Sequence, residues 1–200
     1  MASSVYKLNK LAAVNIILSN VGQAPVTSIT STNPMVAIAD SILDEVMLQV
    51  QSEGWVFNTE QDYPFTPDTN KNIIIPPNVL SIDSVHWGNM EPVIRNGKLY
   101  DKRHHTYEFT EKLYAKVVWY FDFEELPEVF KQYIVVRAAN LFAGRAVGST
   151  EVVKYSEREE ARALAAVIEY ETQQGDYNML NDRAGGNELQ SYIPYNVMNR

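Results

Sequence analysis

The stretch "LQVQSEGWVFNTEQ", residues 48–61, changes its period in the middle. Up to Gly54 the apolar residues recur at helical spacing. Beyond it, Val56 and Asn58 alternate with Phe57 and Thr59, which predicts a strand. Trp55 stands on the joint. The switch predicts a helical part that gives way to a β part, with Gly54 supplying a left-handed helix end and Trp55 fixing the angle between the two.

Upstream of this joint the chain reads as helix. A first helix is predicted over 7–22, with Leu11, Val14, Leu18 and Val21 on one face. Asn33 and Pro34 form a cap and first position for a second helix reaching Glu53. Ile38, Ile42, Val46 and Val50 lie four apart and are expected to stack on its buried side.

Downstream, residues 55–126 read as β. Asn96-Gly97 within "VIRNGKLY" is the preferred dipeptide of a two-residue hairpin. "VLSIDSVHW" (79–87) and "YAKVVWYFD" (114–122) predict two further strands, the second with Ala115, Val117, Trp119 and Phe121 on one face. Residues 61–78 hold four of the nine prolines and are expected to be mostly loop. Helix returns at Pro127, with Phe130, Ile134, Ala138 and Leu141 as a stripe. A fourth helix follows over about 150–174, with Ala163, Val167 and Tyr170 inward. The expected architecture is α+β: a helical core from 1–54 and 127–175, an inserted antiparallel β block at 55–126, and an extended C-terminal arm at 176–200.

Composition narrows the function. The 200 residues include no cysteine, which removes disulfides and thiolate chemistry. No apolar run approaches a membrane span, and "MASSVYKLNK" lacks a signal-peptide core, so a soluble intracellular protein or assembly part is expected. The net charge of −8 is spread thinly, without a basic stripe. Tight phosphate binding by one subunit is not expected, and an acidic balance suits a surface past which DNA must slide.

No motif for catalysis, metal or cofactor emerges. His104 and His105 point to opposite sides of an extended chain and read as a solvated pair. Glu124 and Glu128 could form an acid–base pair, the basis of a rival reading as a hydrolase acting on cell wall or DNA. Acidic residues at a helix start also favour the local dipole, and that reading is preferred. A third reading, a DNA-binding packaging factor, lacks its basic patch. Contact surfaces fit better. Arg137 and Arg145 lie in an apolar helix, and Glu157 and Glu160 on a charged one. Tyr192, Ile193, Pro194, Tyr195, Val197 and Met198 form an apolar cluster in the arm. Their burial does not clearly exceed the cost of ordering the arm, so the arm is expected to order on a partner.

Four stretches resemble one family: "AVNIILSNVGQAPVTSI" (13–29), "ILDEVMLQVQSEGWVFNTE" (42–60), "ELPEVFKQYIVVRAANLFAGRAVGSTEV" (125–152) and "EEARALAAVIEYETQQGDYNMLND" (159–182). In this order they are similar to the head-to-tail adaptors of short-tailed phages, the tail tubular protein A family. The resemblance implies a non-enzymatic virion part without cofactors, assembled in the host cytoplasm. It implies a dodecameric ring under the portal protein, with the tail nozzle protein below and tail fibre protein around the junction. DNA would leave through the central channel without sequence-specific binding.

Overall fold

The computed structural model describes residues 7–30, 33–83, 90–146 and 150–174, with backbone only for 146 and 150–156. Four helices and two antiparallel sheets give an α+β fold. Helices α1 (Lys10–Asn20), α2 (Pro34–Ser52), α3 (Glu128–Ala146) and α4 (Thr150–Gln174) are separated by five strands between α2 and α3. Helix α3 touches the other three, so its apolar stripe is the axis of the helical core. No helix among the described residues is long and apolar enough to cross a membrane.

Helix α1 starts later than its periodicity suggests, because Asn9 turns its side chain back to accept from the Ala12 N–H at 2.8 Å. Helix α2 begins as expected, with Asn33 accepting from the Met35 N–H at 3.0 Å and Pro34 in the first turn. Its expected face needs a correction. Ile38 is 45% exposed, whereas Val36, Ala39, Leu43, Val46 and Val50 are buried. A four-residue step overshoots the 3.6-residue turn, so a stack that is right at Ile42, Val46 and Val50 has rotated out by Ile38.

The strands are β1 (Thr59–Phe65), β2 (Val79–Asp83), β3 (Pro92–Arg95), β4 (Lys98–Asp101) and β5 (Leu113–Trp119). The first sheet has the order β1-β5-β2 and the second pairs β3 with β4. Ala115, Val117 and Trp119 of the central strand are buried, and Phe121 beyond it packs partly buried against the same cluster. Two readings of the sequence are overturned. Val56–Asn58 is a single 3-10 turn rather than strand, because the Asn58 side chain accepts from the Trp55 N–H at 2.8 Å and closes it. Residues up to Phe65 are strand rather than loop. Pro64 is tolerated there because β1 is an edge, where a missing N–H costs no ladder bond.

Strand β1 also carries a bulge. Glu60 pairs with Val117 and Tyr63 with Ala115, so two residues of β1 face one of β5. Asp62 takes the extra turn at φ 53. In the β3–β4 hairpin, Asn96 and Gly97 have φ 51 and 70, the double left-handed conformation of a type I′ turn.

Apolar side chains form two clusters. One gathers all four helices and the other the strands, with Phe121 packing against both.

Candidate contact surfaces

The joint between helix and sheet is built from two buried amides that the sequence reading passed over. Gln51 is fully buried; its Nε2 donates to the Phe121 carbonyl at 3.0 Å and its Oε1 accepts from the Phe121 N–H at 2.8 Å. Asn58, 1% exposed, donates through Nδ2 to the carbonyls of Gln51 and Trp119, both at 2.8 Å. Buried amides persist only where their groups are paired, and here the pairs link α2 to the far end of β5.

Gly54 adopts φ +77, a conformation that favours glycine, and a Cβ there would press on Val118 Cγ2 at 3.1 Å. Trp55 is partly buried. Its Nε1 donates to the Val50 carbonyl at 2.7 Å, and its ring meets Phe130 edge-on at 5.2 Å. Phe57 and Tyr170 approach the same Phe130 ring, at 4.4 and 6.1 Å. The Val56 N–H donates to Glu171 Oε1 at 2.7 Å, which ties α4 to the joint.

The four charged contact candidates come together. Arg137, Arg145, Glu157 and Glu160 line one cleft of about 550 Å³ with Glu45, Gln49, Asn140, Leu141 and Gly144. Arg145 holds Glu45 of α2 through two bonds, at 2.7 and 3.0 Å. These bonds hold the Glu45 carboxyl below the usual range and push the Arg145 guanidinium above its own. Arg137 donates to Tyr133 Oη at 3.0 Å and Gln49 Oε1 at 3.4 Å, and its Nε lies 4.0 Å from Glu160. Asn140 donates to Glu160 at 2.8 Å. Both arginines are thus engaged within their own subunit. Glu45, Gln49 and Asn140 escaped the sequence reading. The signal was the i,i+4 spacing of Glu45 and Gln49 on the polar side of α2.

The paired carboxylates have structural work. Glu128 Oε1 accepts from the Leu8 N–H at 3.1 Å, and Glu124 Oε1 from the Lys10 N–H at 3.2 Å. Lys131, 2% exposed, donates to the carbonyls of Leu8 and Glu124 at 3.2 and 3.1 Å. The start of α1 is clasped by the first turn of α3. His104 bonds through Nδ1 to Asp101, which also accepts from the N–H groups of Glu91 and Arg103; His105 stands at φ 55 on the exposed turn. Among the described residues no cluster of three or more His, Asp or Glu is placed to hold a metal ion. The arm residues Tyr192, Ile193, Pro194, Tyr195, Val197 and Met198 lie outside the described residues.

A family model described as "Tail tubular protein" matches residues 11–177. Tail tubular protein A of Klebsiella phage KP34 is 26% identical over 154 residues, which span 76% of this chain and 82% of that protein. With the joint, the β part and all but the first helical residue inside the matched region, the chain belongs to the tail tubular protein family of bacteriophage structural proteins.

Proposed function

We propose that this protein is a ring-forming head-to-tail adaptor that joins the portal protein to the tail nozzle protein and forms part of the DNA ejection channel. The family match across residues 11–177 carries the reading. The charge of −8 supports it, since a channel wall that is acidic or balanced lets DNA slide without being held. The engagement of Glu124 and Glu128 by backbone N–H groups supports a non-enzymatic role. On this reading twelve subunits assemble in the host cytoplasm, tail fibre protein attaches around the junction, and the arm beyond Asp182 orders against the portal or a neighbour. The cleft that holds Arg137, Arg145, Glu157 and Glu160 is a contact surface between subunits.

Native mass measurement of the purified protein, alone and with a portal ring, tests this. The expected result is a twelve-subunit species that binds the portal. A chain truncated after Asp182 is expected to fold and to assemble weakly. A protein that stays monomeric in the presence of the portal contradicts the adaptor reading.

A further inference from the structure

We infer that the outer face of the β3–β4 hairpin of one copy docks on the acidic surface around Tyr120 of the next copy. The inference rests on the ring reading and names the two surfaces that would meet.

The register defines the hairpin face. Ile74 bridges to Lys98, and Lys98 pairs with Arg95, so the three residues form one row across β3, β4 and the segment beside them, on a single side. The Ile75 N–H donates to the Gly97 carbonyl and the Leu99 N–H to the Ile73 carbonyl, both at 2.9 Å, which fixes that register. The other side turns Ile73, Ile75 and Leu99 into the core. On the outer side Ile74 is 61% exposed, the most exposed large apolar residue among those described. The Arg95 guanidinium lies 4.2 Å from the Tyr100 ring centre, and Tyr100 packs on Tyr107 at 4.7 Å. Arg95 and Lys98 have no carboxylate partner among the described residues. Arg95, Tyr100 and the neighbouring Tyr107 and Ile74 have the composition of an interface centre, with Lys98 adding a second cation beside them.

The complementary surface lies on the helical part. Lys10 Nζ sits 3.0 Å from Asp40 and 2.8 Å from Asp44, and its backbone N–H is taken by Glu124. Tyr120 lies in the field of the same groups. Burial raises its pKa first, and the charges of Asp44 and Asp122 add to that against the lesser effect of Lys10. Asp122 and Glu125, both exposed, stand at the two ends of one turn, closed by the Glu125 N–H to the Asp122 carbonyl. Asp40, Asp44, Asp122, Glu124 and Glu125 thus lie on the segments around Tyr120, where the half-buried Lys10 is held by Asp40 and Asp44 and Lys131 is buried against backbone carbonyls.

The hairpin belongs to the β cluster and the acidic surface to the helical one, so a contact between them joins unlike faces. Such heterologous contacts are those that close into rings. Nucleic acid fits the hairpin less well. Two cations neutralise too few phosphates for tight binding, and an exposed isoleucine gains nothing from a phosphate backbone.

Sedimentation velocity of the full chain tests the pairing. Wild type, R95E/K98E, D122K/E125K and the chain with all four changes are compared alone and with a purified portal ring, at low and physiological salt, with far-UV dichroism and melting to confirm folding. The expected result is loss of the ring in each double variant and its return in the fourfold variant, which no folding defect would produce. A ring that persists in R95E/K98E or in D122K/E125K, or a folded fourfold variant that stays monomeric after both doubles do, overturns the pairing and leaves the ring reading standing. Wild type that remains monomeric with the portal ring present removes both. A duplex DNA probe bound by wild type and lost in R95E/K98E, with the ring intact, assigns the face to phosphate instead and overturns the inference.

Discussion

Gln51 and Phe121 exchange two hydrogen bonds, at 3.0 and 2.8 Å, although one is a helix side chain and the other backbone 70 residues later. The amide of Gln51 presents a donor and an acceptor side by side, as a neighbouring strand would. It thereby ends the sheet on the helix without leaving either group of Phe121 unpaired.

Gln51→Leu keeps the size and removes both partners. The expected cost is about 2 kcal/mol, for backbone groups left unpaired near the core. Urea unfolding with an unchanged slope and a lowered midpoint is the check. An unshifted midpoint would mean that water replaces the amide freely.

Trp55 can be separated into its two contacts. Trp55→Phe keeps a ring near Phe130 and loses the Nε1–H bond to the Val50 carbonyl, an expected loss of about 1 kcal/mol. Trp55→Ala loses both, and because the side chain is only partly buried the cost is expected at about 3 kcal/mol, the low end for a large aromatic. Equal losses in the two variants would show that the ring contact contributes nothing.

Gly54→Ala meets two obstacles at once, a left-handed φ of +77 and Val118 Cγ2 at 3.1 Å. A loss of about 1–2 kcal/mol is expected from the conformation alone, with a further loss if Val118 cannot turn aside. Combining it with Val118→Ala separates the two causes. If Gly54→Ala costs nothing relative to Val118→Ala alone, the backbone term is absent.

Asp101 gives the acid limb of stability a local origin. Burial works to raise its carboxyl, but the Glu91 N–H, the His104 ring and the Arg103 N–H outweigh it and hold the carboxyl at about 2, below the ordinary 3.8. A carboxyl that is more acidic folded than unfolded adds stability above the unfolded value and loses it as pH falls through the folded one. Wild type is therefore expected to exceed Asp101→Asn in melting temperature at neutral pH, with the gap closing between about pH 4 and 2. A gap independent of pH would contradict this.

The helices and the hairpin were legible because their signals are local. Asn33-Pro34 and Asn96-Gly97 each act within a few residues, and both do in the structure what the sequence predicts. The turn at Val56–Asn58 was not legible, since alternation over four residues fits a strand as well as a capped turn. What decides between them is the Asn58 amide, whose other partners lie on Gln51 and Trp119. For the same reason the charged candidates could be named from α3 and α4, while their partners on α2 could not. Glu45 and Arg145 meet across 100 residues, and no period within either helix records that meeting.

The bulge in β1 bears on how copies of this protein can meet. β1 is an outer strand, and an open outer strand invites a second molecule to continue the sheet. Here Glu60, Gln61 and Asp62 are exposed, the backbone kinks at Asp62, and Pro64 removes a donor two residues on. Two such edges brought together would repel by charge and mismatch in register. Main-chain ladder growth through this edge is thereby disfavoured, even at the crowding of an assembling virion. On this side of the sheet, association is left to side-chain surfaces, whose geometry can fix an angle and stop at a finite number of copies.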